Sequence, residues 1–364
     1  MQLRNFKKYF KKKKESAFIM KKQTKLVAVL STAALLAIGA SMTSFAATGW
    51  AEEDGTWVYY NRDGERATDS WKKSGNNWYY LDSDGEMAID QLIEDGDNYY
   101  YVDINGVMAS NQWVAIENED AGEDNEPEHY WYYFQANGKA LTNGDNTKVA
   151  LKTINGKKYA FDEDGKMLYG WVAEDSAERI DNTDNDAFKE GDYYFGGEDD
   201  GAMTTGWLQM DVTYEEATDG TLGNYVAPVF NEDEDQTRWF YFKSNGKKLY
   251  ADNGERTKDK TINGKKYAFD DQGKMLYVWV SSDNAERIDN TDDDAFKDGV
   301  YYFGGEDDGA MTVGWLQMDI TYDEATNDYE IAPVFNDDED QSRWFYFKSN
   351  GKKIYSENAD ETKD

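Results

Sequence analysis

The sequence predicts an all-β protein, an elongated solenoid of about ten stacked β-hairpins with acidic insertions at the hairpin tips. Three observations carry this. All twelve tryptophans fall into two slots of one repeated pattern. A glycine lies seven residues after the strand tryptophan in five units, and after Tyr99 in a sixth, with one extra residue before Gly201 and Gly309 in the units of Tyr193 and Tyr301. Glycine next to Asn or Asp recurs between the aromatic runs, where tight turns need a positive φ. A globular core has no reason to space tryptophan so regularly, whereas identical hairpins must each meet their neighbour in the same way.

The chain opens with a targeting segment. A basic stretch (Lys7, Lys8, Lys11 to Lys14, Lys21, Lys22, Lys25) precedes an apolar run from Leu26 to Ala40, and Ser44-Phe45-Ala46 suits a signal peptidase. Residues 1–46 therefore read as a signal peptide, with Met20 as an alternative start; the competing reading is a membrane anchor. Removing the segment takes ten of the 39 basic residues and one of the 73 acidic ones, so the mature chain is still more acidic than the −34 of the whole. Such a surface argues against nucleic acid and anionic membranes and favours cationic ligands. There is no cysteine, hence no disulfide or thiolate site. Secretion without cysteine fits a Gram-positive bacterium, and no second apolar span or sorting motif is seen. Any hold on the cell surface is expected to be non-covalent.

Residues 47–148 read as a four-unit array. Trp50 leads to Trp57-Val58-Tyr59-Tyr60 and Gly64; Trp71 leads to Trp78-Tyr79-Tyr80 and Gly85-Glu86-Met87; Leu92 leads to Tyr99-Tyr100-Tyr101 and Gly106-Val107-Met108; Trp113 leads, past an acidic insertion, to Trp131-Tyr132-Tyr133. A long duplication follows, Lys152 to Tyr250 recurring as Lys260 to Tyr355, so that 149–257 and 258–355 form two three-unit modules before a polar tail, 356–364. In each module the leading tryptophans are Trp171 and Trp207, or Trp279 and Trp315, and the strand tryptophan is Trp239 or Trp344. The insertions at 115–129, 172–190, 209–237, 280–298 and 317–342 fall between paired strands and are expected to project as extended tips. A lone hairpin is marginal in water, so stability must come from aromatic faces stacking between units.

This spacing resembles the choline-binding, or cell-wall-binding, repeat of Gram-positive surface proteins: Gly-Trp, then Trp-Tyr-Tyr, then Gly, one residue and Met. The glycan-binding repeats of streptococcal glucosyltransferases and clostridial toxins share the same hairpin grammar. The resemblance implies a ligand held between consecutive hairpins by a leading Trp, a strand Trp and an aromatic of the next unit. Carried onto this chain, one cage uses Trp50, Trp57 and Tyr80, and a second Trp71, Trp78 and Tyr101. Partial cages pair Trp207 with Trp239 and Trp315 with Trp344. Lys158 and Lys266 stand where a strand Trp belongs, and Leu92 replaces a leading Trp, so those units are read as spacers or sugar-stacking units.

Other features read more plainly. Tyr159, Phe161, Tyr267 and Phe269 are assigned to packing. Asp181, Asp184, Asp186 and their copies Asp289, Asp292 and Asp294 crowd carboxylates together but lack the Gly and distal Glu of an EF-hand, and Asp199, Asp200, Asp307 and Asp308 likewise read as solvated acid. His129 is the only histidine. No catalytic or metal triad can be assembled around it from the sequence, and the repeats leave no room for a separate catalytic domain. The expectation is thus a secreted, non-catalytic protein of the bacterial surface, without cofactor or metal. Its partner is choline on teichoic acid or another wall polymer; the alternatives are a glucan or host glycan, or a host protein met by the acidic tips.

Overall fold

The structure is a computed structural model that describes residues 48–122, 126–180, 187–212, 236–251, 259–281, 295–320 and 341–355. The expected signal segment, Asp181 to Asp186 and Asp289 to Asp294, and most of the two longest insertions lie outside the described residues. No helix occurs among those described, and none is long and apolar enough to cross a membrane.

Among the described residues, twenty strands form ten two-stranded antiparallel sheets, each pairing sequence neighbours. The first four hairpins are β1 (Gly49–Glu53) with β2 (Thr56–Tyr60), β3 (Ser70–Ser74) with β4 (Asn77–Leu81), β5 (Gln91–Asp95) with β6 (Asn98–Val102), and β7 (Gln112–Glu117) with β8 (His129–Phe134). The first copy of the duplication holds β9 (Lys152–Ile154) with β10 (Lys157–Tyr159), β11 (Gly170–Val172) with β12 (Tyr193–Phe195), and β13 (Gly206–Val212) with β14 (Gln236–Phe242). The second repeats these as β15 (Lys260–Ile262) with β16 (Lys265–Tyr267), β17 (Val278–Val280) with β18 (Tyr301–Phe303), and β19 (Gly314–Ile320) with β20 (Gln341–Phe347). The chain divides into two compact units. One runs to Ile116 and includes Trp131–Leu141; the other takes in Glu117–Tyr130 and everything from Thr142 onward, so both copies of the duplication share one unit.

The turns explain the local folding. Between β1 and β2, Asp54 and Gly55 both have positive φ (50° and 86°), the two-residue turn whose twist matches the flanking strands. Asn155 and Gly156 repeat it at 49° and 83°. The turn that leaves the second hairpin is held by an aspartate: Asp82 Oδ1 accepts the N–H groups of Asp84 and Glu86 at 3.0 and 2.9 Å.

The same segment then joins consecutive hairpins. Met87 N–H donates to the Trp57 carbonyl of the first hairpin at 2.7 Å, while Ala88 N–H donates to Tyr80 of the second at 2.9 Å. Met108 with Trp78 and Met275 with Trp239 repeat the first bond at 2.9 and 2.8 Å. Backbone bonding therefore carries the stack from one hairpin to the next, and the buried side chains fill in behind it. In the first unit Ala88, Ile93 and Val102 gather under Trp71, Tyr80 and Tyr100.

The insertions depart from the expectation of projecting tips. β13 and β14 do lengthen the hairpin to seven paired positions. The insertion between β11 and β12, however, comes back onto the stack: Ala187 and Phe188 are 2 % and 1 % exposed and pack with Trp171, Phe240 and Phe242. Ala295 and Phe296 do the same with Trp279 and Phe347 in the second copy. Apolar residues at the return end of an otherwise acidic insertion find the hairpin face more favourable than water.

Candidate functional site

Each hairpin has two faces, because side chains alternate along a strand. On the first hairpin the register sets Trp50 opposite Tyr59 and Glu52 opposite Trp57, so both tryptophans and Tyr59 share one face. That face is turned toward the second hairpin. Trp50 meets Tyr59 at 5.4 Å and Tyr79 of the next hairpin at 5.3 Å, both edge to face. The second hairpin repeats the arrangement: Trp71 meets its own Tyr80 at 5.1 Å and Tyr100 of the third hairpin at 5.0 Å.

This corrects the expected cages by one residue. Tyr80 does not face Trp50; it shares a face with Trp71 and Trp78. Tyr101 does not face Trp71; it stacks on Phe134 at 6.1 Å and donates its hydroxyl to Asp90. The reason is the strand period of two: the residue directly after the strand tryptophan points back at the preceding hairpin, and the next one points forward. The sequence carried that signal in Tyr79, Tyr100 and Tyr267.

The third complete set lies in the second unit. Trp207 meets Trp239 at 6.2 Å, Tyr241 at 5.0 Å and Tyr267 of the following hairpin at 4.8 Å. Tyr267, assigned to packing from sequence, is thus the counterpart of Tyr79. Trp239 Nε1 donates to Asp307 at 3.2 Å, and Trp71 Nε1 to Asp95 at 3.1 Å, so carboxylates border two of the three sets. Trp315 and Trp344 are brought together at 6.5 Å, with Tyr346 at 5.0 Å from Trp315. They remain 68 % and 60 % exposed, with no aromatic of a further hairpin against them among the described residues.

The sets are partly open. Trp50, Trp57, Trp71, Trp207 and Trp239 are half-buried and Trp78 is exposed, whereas Tyr79 is buried. A recess of about 440 Å³ beside Trp78 is lined by Asp103, Met108, Gln112 and Asn137. Lysines already sit over two of these rings: half-buried Lys72 Nζ is 5.1 Å from the Tyr59 centroid and exposed Lys73 Nζ 5.6 Å from that of Trp78. Burial and nearby aspartates push the phenols of Tyr80 and Tyr100 up, so the walls stay neutral.

The lining is different beside the eighth hairpin, one of the lysine-substituted units. There a recess of about 490 Å³ is lined by Lys265, Lys266, Asp308 and Met311, with Lys265 Nζ 2.7 Å from Asp308. One cluster of potential metal ligands also forms among the described residues, contrary to the expectation that none could be assembled. His129, Glu198 and Asp199 place ligand atoms within 4.8 Å of one another, His129 Nε2 lying 3.1 Å from Asp199. The partners are 69 and 70 positions away in sequence, which is why spacing did not reveal them.

Residues 67–113, which hold the Trp71–Trp78–Tyr100 set, match the family model for the choline-binding repeat. The chain thus carries a choline-binding repeat at this set. Residues 339–353 match a related cell wall binding repeat. Glucosyltransferase-S of Streptococcus mutans is 29 % identical to the chain over 186 residues, which is 42 % of this chain and 11 % of that enzyme. The chain thus spans about a tenth of the length of the curated relative it matches. Among solved structures, the modular autolysin LytC of Streptococcus pneumoniae is 20 % identical, covering 85 % of this chain and 47 % of that one with a TM-score of 0.43. The choline-binding domain of CbpL from the same organism is 23 % identical, covering 73 % and 97 %, with a TM-score of 0.38.

Proposed function

We propose that the protein attaches non-covalently to the bacterial envelope by binding quaternary ammonium groups, choline on a teichoic-acid-type wall polymer, at the junctions between hairpins. The observation that carries this is the threefold recurrence of one constellation: Trp50, Trp57 and Tyr79; Trp71, Trp78 and Tyr100; Trp207, Trp239 and Tyr267. A quaternary ammonium has no N–H to donate, so electron-rich ring faces are its best partners, each worth about 0.5–2 kcal/mol. Carboxylates at the rim, Asp95 and Asp307, add long-range attraction without entering the cage.

One such site is weak, of roughly millimolar affinity or about −4 kcal/mol. Several on one polymer raise the effective affinity by about 10²–10⁴. A repeated weak pocket therefore gives firm attachment that free choline can compete away. The role is that of a secreted binding protein of the cell wall, with no catalytic step assigned to its own residues.

A glycan is the second reading. It is favoured by the hairpins where Lys158 and Lys266 replace the strand tryptophan, since such units cannot cage a cation but can still stack on sugar rings. Sedimentation of the protein with choline-bearing cell walls separates the two. Release by free choline, and not by equal sodium chloride, supports the proposal. Release only by glucan or wall saccharide moves the assignment to the glycan.

A further inference from the structure

The junctions led by Trp171 and Trp279 differ from the three above, and in the same way. Lys248 N–H donates to the Asp192 carbonyl at 2.7 Å and pairs as a bridge with Phe242. These are the bonds that Met87 makes with Trp57 and Leu81, so Lys248 occupies the slot held by Met87, Met108 and Met275 elsewhere. Phe240 meets Trp171 at 5.5 Å, taking the place of Tyr79. Asp192 stands where a strand tryptophan would be.

The lysine side chain does what no methionine can. It runs beneath Gly273, where a Cβ would lie 2.8 Å from its Cδ, and its Nζ ends 5.2 Å from the Trp171 ring and 5.5 Å from the Tyr250 ring. Nζ donates to the carbonyl of Phe188, on the insertion segment that folds back over the tryptophan. Lys248 is 2 % exposed and Trp171 also 2 %. In the second copy, Lys353 Nζ lies 5.1 Å from Trp279 and 5.9 Å from Tyr355, and donates to the Phe296 carbonyl. An ammonium between two aromatic rings is the arrangement expected of a bound cationic ligand.

We propose that at these two junctions the chain supplies its own cation: Lys248 and Lys353 are resident ligands of the Trp171 and Trp279 sites, which are thereby closed to external choline. This rests on the reading of the open junctions as ammonium cages. It assigns external ligand to the sets led by Trp50, Trp71 and Trp207, and makes the hairpins around Trp171 and Trp279 independent of ligand for their packing. Insertion and lysine act together, since the returning segment covers the tryptophan and provides the carbonyl that the ammonium needs once water is excluded.

The test is residue-resolved acylation of the full-length mature protein with an N-hydroxysuccinimide acetate at pH 7.5, read by peptide mass spectrometry with and without saturating choline chloride. Burial pushes Lys248 and Lys353 down to about 8, which by itself would make them the more reactive amines. Protection would therefore report enclosure. The expected result is modification of Lys248 and Lys353 at least about 100-fold slower than of exposed Lys243 and Lys348, unchanged by choline. Reaction at the rate of Lys243, or acceleration by choline, overturns the proposal. Tryptophan fluorescence on the same samples keeps the two readings apart. Protection without any choline response leaves the resident lysines standing and removes the choline reading; a choline response with accelerated acylation does the reverse.

Discussion

Trp50 and Tyr79 meet edge to face, ring centroids 5.3 Å apart, across the boundary between two consecutive hairpins. The contact is the packing that joins the hairpins and, in the function proposed above, one corner of a cation cage. Tyr79 is only 4 % exposed. Tyr79→Ala should thus destabilise the protein by about 3 kcal/mol or more, as for other buried aromatic truncations. Tyr79→Phe keeps the ring and loses only a long contact with Asn77, so it should stay within about 1 kcal/mol of wild type. Urea unfolding checks both, and equal effects of the two variants would show that the ring contact is not what joins the hairpins.

Much of this was legible in the sequence. The spacing of Trp50, Trp57 and Gly64 located the strands, and Asn155-Gly156 located a turn. What spacing could not supply is which face meets which neighbour. Tyr79 and Tyr80 are the same residue type one position apart, and only strand pairing decides that Tyr79 faces the preceding hairpin and Tyr80 the following one. The enclosure of Trp171 was hidden for another reason. Trp171 and Trp207 occupy the same slot of the pattern, but one is sealed by Phe188 and Lys248, which come from an insertion and from the following unit.

The glycines that follow the aromatic strands make a separate prediction. Gly201 has a φ of 55°, and a Cβ there would lie 2.3 Å from Met167 Sδ. Gly201→Ala meets a left-handed backbone penalty of about 1–2 kcal/mol and a steric one of about 1–3 kcal/mol. Gly197, on the same loop, has no such φ, and nothing lies within 4 Å of where a Cβ would be. Gly197→Ala should leave the thermal midpoint within a degree or two, while Gly201→Ala lowers it by several.

Acidification tests a buried carboxylate. Burial pushes Asp162 up to about 6, against an ordinary 3.8, while its carboxylate accepts the Lys166 N–H at 2.7 Å. Between these values the folded chain holds a proton that the unfolded chain has released. Asp162 therefore contributes more stability as pH falls through 6, the gain being complete below about 4 and absent above about 7. Asn keeps the accepting oxygen without the charge. Asp162→Asn should be more stable than wild type at pH 7.5 by on the order of 1–3 kcal/mol, and the difference should shrink by pH 4.5. A difference that does not vary with pH would contradict this assignment.

The central claim is that the open junctions cage a quaternary ammonium. Titrating the intact mature protein with choline chloride against equal sodium chloride, read by tryptophan fluorescence, tests it most directly. A saturable change in the millimolar range is expected with choline alone, diminished in Trp50→Ala and in Trp78→Ala. A response identical to that of sodium chloride, or one that both variants retain in full, would contradict it.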